Sequence, residues 1–240
     1  MKYLVSIVIP VYKEVENIKD VAQCIHKSLV DVTDYEIIFV DDNSEDGSLQ
    51  VCSDLRNLYS VRMIIRTDKR GLSSAVIDGI DQAKGKYIVV MDGDLSHPAS
   101  AIPSMIKKLS SNEADFVLGS RYVGEGSIDK NWSIFRHLSS RFATLLALPL
   151  VSVRDPMSGF FSFKRDSLLE SNLLSPIGYK IGLEIMVKNN FRKIVEEPIL
   201  FTDRVRGKSK FGFREQINYL RHILRCLVPQ SYGVSLPQLQ

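Results

Sequence analysis

Two rhythms of apolar residues alternate along the first half of the chain. Short β-branched runs at Val5–Ile9, Glu36–Val40, Val61–Ile65, Tyr87–Met91 and Asp115–Leu118 predict strands. The segments between them follow a helical period; in the first, Ile18, Val21, Ala22, Ile25 and Leu29 fall on one face. Strand and helix taking turns in this way predict βαβ units: an α/β fold with a Rossmann-like, mostly parallel sheet flanked by helices. After Gly119-Ser120-Arg121 the pattern loosens into a loop with Gly124 and Gly126, then a helix from about Trp132, then a less regular stretch through Ser158-Gly159-Phe160-Phe161.

Polar residues cluster where three of the predicted strands end. The first strand runs into Pro10-Val11-Tyr12-Lys13-Glu14, the second into Asp41-Asp42-Asn43-Ser44 and the fourth into Asp92-Gly93-Asp94. In an open parallel sheet, ligands bind beyond the carboxyl ends of the strands, so these acids are expected on one functional rim. Asp92 and Asp94 alternate about a glycine. In an extended segment both carboxylates can approach one cation, and Gly93 lets a ligand come close to the backbone. Mg²⁺ or Mn²⁺ prefers such oxygen ligands and completes its shell with substrate phosphates. The alternative is a turn with two solvated acids. Of Asp41 and Asp42, one can brace the following turn while the other accepts hydrogen bonds from a guanine or uracil edge. A phosphate-cradling glycine loop is missing from the sequence, which argues against a dehydrogenase or an ATPase and leaves a diphosphate to be neutralised by metal and arginine.

Length and composition agree with a domain of this kind. The chain has 240 residues, 45% of them hydrophobic and 25% charged, enough for one core with a small appendage and unlike a disordered chain. Net charge is only +3, yet seven Lys or Arg residues and one acid, Glu215, lie between Arg204 and Arg225. Such a run reads either as a solvated face or as a phosphate or anionic-membrane surface. In the segment from Arg214 to Arg225, cations alternate with Ile217, Tyr219, Leu220, Ile223 and Leu224, as in a helix that rests on anionic lipid or docks on its own domain. Arg136 and Ser140 share a face of the helix expected near Trp132 and either grip a phosphate or lie on the surface. Cys24, Cys52 and Cys226 lack the spacing of a disulfide framework or a zinc site, which suits a reducing cytosol. No signal-peptide pattern opens the chain, and the longest apolar stretch, Ala143 to Val153, falls well short of the roughly 20 residues needed to span a bilayer. The four histidines are scattered and receive no catalytic role.

Taken in order, the motifs Pro10-x-Tyr12-x-Glu14, Val40-Asp41-Asp42-Asn43-Ser44-x-Asp46-Gly47, Arg70-Gly71-Leu72-Ser73-Ser74-Ala75, Asp92-Gly93-Asp94-Leu95-Ser96-His97-Pro98, Gly119-Ser120-Arg121-Tyr122, Asp155-x-x-Ser158-Gly159-Phe160 and Asp203-Arg204-Val205-x-Gly207-x-Ser209-Lys210 resemble the family 2 glycosyltransferases of GT-A fold. Among these the chain is most similar to dolichol- or polyprenol-phosphate mannose synthases, over about residues 3 to 225. The resemblance implies a nucleoside pocket lined by Pro10, Tyr12, Glu14, Val40 and Asp42, with a divalent metal on Asp92 and Asp94. Arg121, Arg136, Ser140, Arg204 and Lys210 would hold the donor and acceptor phosphates. Lys13 replaces a frequent Asn, and Ser96 stands where some relatives use Gln as a third metal ligand, which suggests that water fills that position.

The function implied is inverting transfer of mannose from GDP-mannose to a polyprenyl phosphate. An ionised acceptor needs no general base, in keeping with the lack of a convincing one in the sequence. Rival readings are a UDP-sugar donor, passing its sugar to a lipid phosphate or a sugar hydroxyl, and a catalytically idle nucleotide-sugar-binding subunit. The lack of a base counts against a hydroxyl acceptor; Asp92, Asp94 and Arg121 count against idleness. The expected organisation is a catalytic domain at residues 1–212 and an amphipathic helix and tail at residues 213–240, peripheral at the cytoplasmic face of a membrane. Some relatives continue into membrane helices near this point, so a further membrane segment or a separate anchoring subunit is an expectation too. Nucleic acid is not an expected partner, because acidic strand ends on the same rim repel a polyanion unless metal is bound.

Overall fold

The computed structural model describes residues 4–128, 144–168, 174–175, 180–189, 191–202, 221 and 223. Along the chain run β1 (Val5–Val11), α1 (Val15–Leu29), β2 (Tyr35–Asp41), α2 (Ser48–Leu55), β3 (Val61–Ile65), α3 (Leu72–Asp81), β4 (Tyr87–Val90), α4 (Ile102–Ser110) and β5 (Phe116–Ser120). There follow β6 (Ser127–Ile128), β7 (Phe161–Lys164), α5 (Ile181–Lys188), β8 (Ile194–Pro198) and β9 (Leu200–Phe201). The five strands expected from the β-branched runs are all present. The face expected for the first helix is its buried face, joined by Asn17.

Seven strands form one sheet in the order β3-β2-β1-β4-β7-β5-β8. All neighbours are parallel except β7, which runs antiparallel to both β4 and β5. From β1 the chain steps outward to β2 and β3, then α3 carries it back to β4 on the opposite side of β1. That reversal opens a crevice at the carboxyl ends of β1 and β4.

Both faces of the sheet are covered, which is why its strands are nearly continuous in apolar residues. Ile7, Ile9, Phe39 and Val89 pack with Ile18, Val21, Ile25 and Met105 of α1 and α4. Val8, Val40, Ile88 and Phe161 pack with Val76 and Ile80 of α3 and Ile181 and Ile185 of α5. Helix α3 lies close to the sheet because Gly79 has no side chain; a Cβ there would sit 2.4 Å from Val8 Cγ1 and 2.9 Å from Val40 Cγ2.

Strand β7 was the irregular stretch of the sequence. Its register pairs Phe161 with Val90 on one side and Leu118 on the other. Because β7 is antiparallel, its amino end lies at the carboxyl rim of its neighbours, so the loop before it delivers Asp155, Ser158 and Gly159 there. The two-residue strands β6 and β9 pair parallel in a second small sheet beyond the end of β5.

Candidate active site

The rim gathers what the strand ends promised and divides it into unequal roles. Asp41 accepts hydrogen bonds from the Ser44 amide (2.9 Å) and from the Ser44 hydroxyl, and so braces its own turn. Asp42 accepts from Arg66 through both Nε (2.8 Å) and Nη2, and from the Gly71 amide (2.7 Å). Arg66 is almost completely buried and also donates to Ser74 and Asp78, which ties the end of β2 to the start of α3. A carboxylate has about four lone-pair sites. The nucleobase role expected for Asp42 therefore shares a group that also holds the fold together.

Around the turn beyond β1, Arg70 lies over the Tyr12 ring, 5.3 Å from its centroid, and Glu14 accepts from Asn17 Nδ2 at 2.5 Å. A cavity of ≈ 420 Å³ lined by Glu14, Asn17, Ser44 and Asp46, among others, lies between the β1 and β2 turns. Pro10 faces a different, smaller cleft. Val40 reaches neither, because it is wholly buried in the core.

Strand β4 ends at Val90, one residue earlier than the sequence pattern predicts, and Asp92-Gly93-Asp94 forms a turn rather than an extended segment. Leu95 takes φ +65°, and Asp94 Oδ1 accepts from the Ser96 amide (3.1 Å) and hydroxyl (2.5 Å), closing the bend. Asp94 is thereby buried and fixed, whereas the Asp92 side chain keeps 38% of its surface exposed. The side-chain space missing at Gly93 faces β1, not a ligand: a Cβ would lie 3.0 Å from Val11 Cγ1. Gly159 is the glycine that opens room in front of the motif, since a Cβ there would stand 3.4 Å from Asp92 Oδ1.

His97, given no role from sequence, positions the motif. Its Nδ1 accepts the Asp92 amide hydrogen at 3.1 Å and lies 3.9 Å from Asp92 Oδ2. The ring stacks on Phe160 and meets Phe201 edge-on. Burial pushes the imidazole below its ordinary pKa of 6.5, against the pull of Asp92 and Asp94. Accepting an amide hydrogen also requires an unprotonated nitrogen. The folded protein thus refuses a proton that the unfolded chain takes, so His97 subtracts stability as the pH falls from 6.5 toward its folded pKa and subtracts none above 6.5. In metal-free buffer, His97→Gln should flatten the acid side of the melting-temperature profile below pH 6.5; an unchanged slope would reject this role.

Just beyond β5, Arg121 is clamped by Asp155, which accepts from Nε (2.8 Å), Nη2 (2.7 Å) and the Arg121 amide (3.0 Å). Burial works against the guanidinium charge, but the hydrogen bonds and charge of Asp155 outweigh it and raise its pKa. The Tyr122 and Phe201 rings lie 5.3 and 5.5 Å from the Arg121 guanidinium carbon. Glu196 in turn accepts the Arg154 and Asp155 amides, fastening the loop to β8.

The smaller cleft, ≈ 80 Å³, runs from Pro10 and Leu72 past Asp92, Ser158 and Gly159 to Lys180. Lys180 was not anticipated either. A lysine just before a short apolar helix carries no distinctive signal in a single sequence. Among the described residues no group of three or more His, Cys, Asp or Glu side chains is placed to hold a metal. The residues that could hold a divalent ion here are the pair Asp92 and Asp94. Two hard oxygen donors, one exposed beside a glycine, suit an ion whose remaining ligands come from phosphate and water. Arg136, Ser140, Arg204 and Lys210 lie outside the described residues.

Residues 6–171 match the family described as glycosyl transferase family 2. The dolichol-phosphate mannosyltransferase of Pyrococcus furiosus is 41% identical over 227 residues, covering 93% of this chain; the chain spans 63% of that protein's length. The dolichol-phosphate mannosyltransferase of Saccharomyces cerevisiae is 38% identical over 233 residues, which cover 93% of this chain and 86% of that one. Among solved structures, the mannosyltransferase PcManGT from Pyrobaculum calidifontis in complex with GDP-Man and Mn²⁺ is similar, with TM-score 0.62 and 15% identity over 94% of this chain and 65% of that one. Glucosyl-3-phosphoglycerate synthase from Mycobacterium tuberculosis, in complex with Mn²⁺, uridine diphosphate and glucosyl-3-phosphoglycerate, gives TM-score 0.65 and 18% identity over 98% of this chain and 84% of that one. At these identities the two structures show the shared GT-A fold.

Proposed function

The chain belongs to glycosyl transferase family 2 and is a glycosyltransferase, and from that premise we propose that it transfers mannose from GDP-mannose to a dolichyl-type polyprenyl phosphate with inversion at the anomeric carbon. The observation that carries this reading is the character of the smaller cleft. Among the described residues that line it, Asp92 is the one acid, and it lies at the start of a motif suited to metal binding. A hydroxyl acceptor needs a base beside the reacting carbon, whereas a phosphate acceptor arrives ionised. The names of the relatives point to the same sugar and acceptor.

In this reading Pro10, Tyr12, Glu14 and Asp42 receive the nucleoside near the ends of β1 and β2. Asp92 and Asp94 would hold Mg²⁺ or Mn²⁺, which when bound supplies positive charge to the leaving diphosphate. Ser96 keeps Asp94 oriented through the turn, and His97 keeps Asp92 at the cleft. Arg121, held rigid by Asp155, adds a fixed positive charge that needs no reorganisation during the reaction. An acceptor oxygen bonds to the anomeric carbon as the bond from that carbon to the diphosphate breaks, and GDP leaves with the electron pair. Arg136, Ser140, Arg204 and Lys210 are assigned to the phosphates by resemblance.

Among the described residues no helix is long and apolar enough to cross a membrane. We assign the meeting with a membrane-bound acceptor to the basic segment at residues 213–240, at the cytoplasmic face, with or without an anchoring subunit.

Calorimetric titration with GDP-mannose and with UDP-glucose, each with and without Mn²⁺, tests the donor. Metal-dependent binding of GDP-mannose alone is the expected result. Preference for UDP-glucose would overturn the donor assignment, and binding of neither would favour an idle subunit.

A further inference from the structure

Lys180 lines the same cleft as Asp92 but belongs to a different part of the fold. It stands immediately before α5, on the face of the sheet where Gly182 lies so close to Phe161 that a Cβ would come within 2.9 Å of the ring. Its Nζ donates to the Met157 carbonyl at 2.5 Å, which fixes the ammonium beside the loop that carries Ser158 and Gly159. The residue is neither fully buried nor fully exposed, and the cleft is its opening. Burial and the nearby Arg121 charge pull its pKa down to about 8, with Asp92 and Asp155 pulling the other way. The group therefore remains a cation at neutral pH, in a place where a cation is poorly hydrated and gains from meeting an anion.

The order of strands says which anion. The nucleoside candidates Tyr12, Glu14 and Asp42 follow β1 and β2, the metal candidates follow β4, and Lys180 stands before α5, whose Gly182 packs on Phe161 of β7, beyond β4 from β1; Pro10, inside β1, borders the same cleft. In that order a nucleotide held at the β1 and β2 turns would lie on one side of Asp92, with Lys180 on the other. Inverting displacement requires the nucleophile to enter opposite the leaving group. Resting on the mannosyl-transfer reading, we propose that Lys180 is a catalytic residue whose ammonium receives the phosphate oxygen of the acceptor as that oxygen approaches the anomeric carbon. It does for an ionised acceptor what a carboxylate base does for a hydroxyl: it brings the nucleophile to the carbon, here by charge and with no proton transferred.

The test uses the full chain with Lys180→Gln, which removes the charge and keeps an N–H donor, and Lys180→Arg, which restores the charge. Three quantities are read: kcat/KM for a short-chain prenyl phosphate at saturating GDP-mannose, the Kd of GDP-mannose with Mn²⁺, and calorimetric binding of the prenyl phosphate to metal-free protein. In Lys180→Gln, acceptor kcat/KM should fall by about 10²-fold, the size seen when one preorganised charge-stabilising donor is removed. Prenyl phosphate binding should weaken, the GDP-mannose Kd should stay within about twofold of the parent, and Lys180→Arg should recover most of the loss. An equal loss of GDP-mannose affinity would assign the lysine to the donor diphosphate and overturn the proposal, as would unchanged acceptor kinetics in Lys180→Gln. If the parent protein binds GDP-mannose but fails to use any prenyl phosphate, the mannosyl-transfer reading falls. The metal-free titration then still decides whether Lys180 binds a phosphate.

Discussion

Asp92→Asn should lower mannosyl transfer by about 10³-fold, on the order of 4 kcal/mol in transition-state stabilisation, with almost no change in melting temperature. The two side chains have nearly the same shape, and the Asp92 carboxylate is 38% exposed. The hydrogen bond that locates this residue is donated by its backbone amide to His97, so it survives the substitution. What disappears is one negative charge at the edge of the cleft, half of the pair proposed to hold a divalent ion. Asp94→Ala should be as inactive but also less stable, because it removes the Oδ1 that accepts from the Ser96 amide and hydroxyl. Turnover of GDP-mannose and thermal unfolding, measured on both variants, separate the two roles. Activity within tenfold of the parent in Asp92→Asn would remove the metal from its proposed place.

Asp155→Ala should be the most destabilising single change near the site. Asp155 is completely buried and takes three hydrogen bonds from Arg121, whose guanidinium is itself nearly buried. Removing one partner of a buried pair strands the other charge in a poorly hydrated place, which typically costs about 3–5 kcal/mol. For a chain of this length that corresponds to a fall in melting temperature on the order of 10 °C. Activity should fall as well, since a released Arg121 loses the orientation that makes its charge useful. Differential scanning calorimetry reads the first effect; a drop of less than about 2 °C would show that the pair does not anchor this part of the fold.

Much of this was legible because it follows from local rules. A parallel sheet buried on both faces must be written as short β-branched runs, and each connecting helix must show one apolar face, so β1 to β5 and the face of α1 could be read directly. The acids at the strand ends were legible for the same reason: once the strands are placed, their carboxyl ends mark the rim. The partners of those acids were not. Asp41 and Asp42 are adjacent in sequence and equivalent in composition, yet Asp41 serves its own turn while Asp42 serves Arg66 and Gly71, 24 and 29 residues away. His97 looked like any of four scattered histidines until Phe160 and Phe201, from distant segments, enclosed it.

By itself the sequence determined the α/β class, the order of the first five strands along the chain, the rim that carries chemistry and the identity of the acidic motif, all of which depend on periodicity and on residues near one another in the chain. Only the tertiary structure decided that an antiparallel β7 enters between β4 and β5, that the acidic motif bends into a turn with two unlike carboxylates, that Gly159 and Lys180 line the cleft with Asp92, and that Asp155 clamps Arg121. The physical reason is that burial, desolvation and ion pairing are set by what packs alongside a residue. At this site those neighbours come from segments tens of residues apart, brought together by strand pairing that no local pattern encodes.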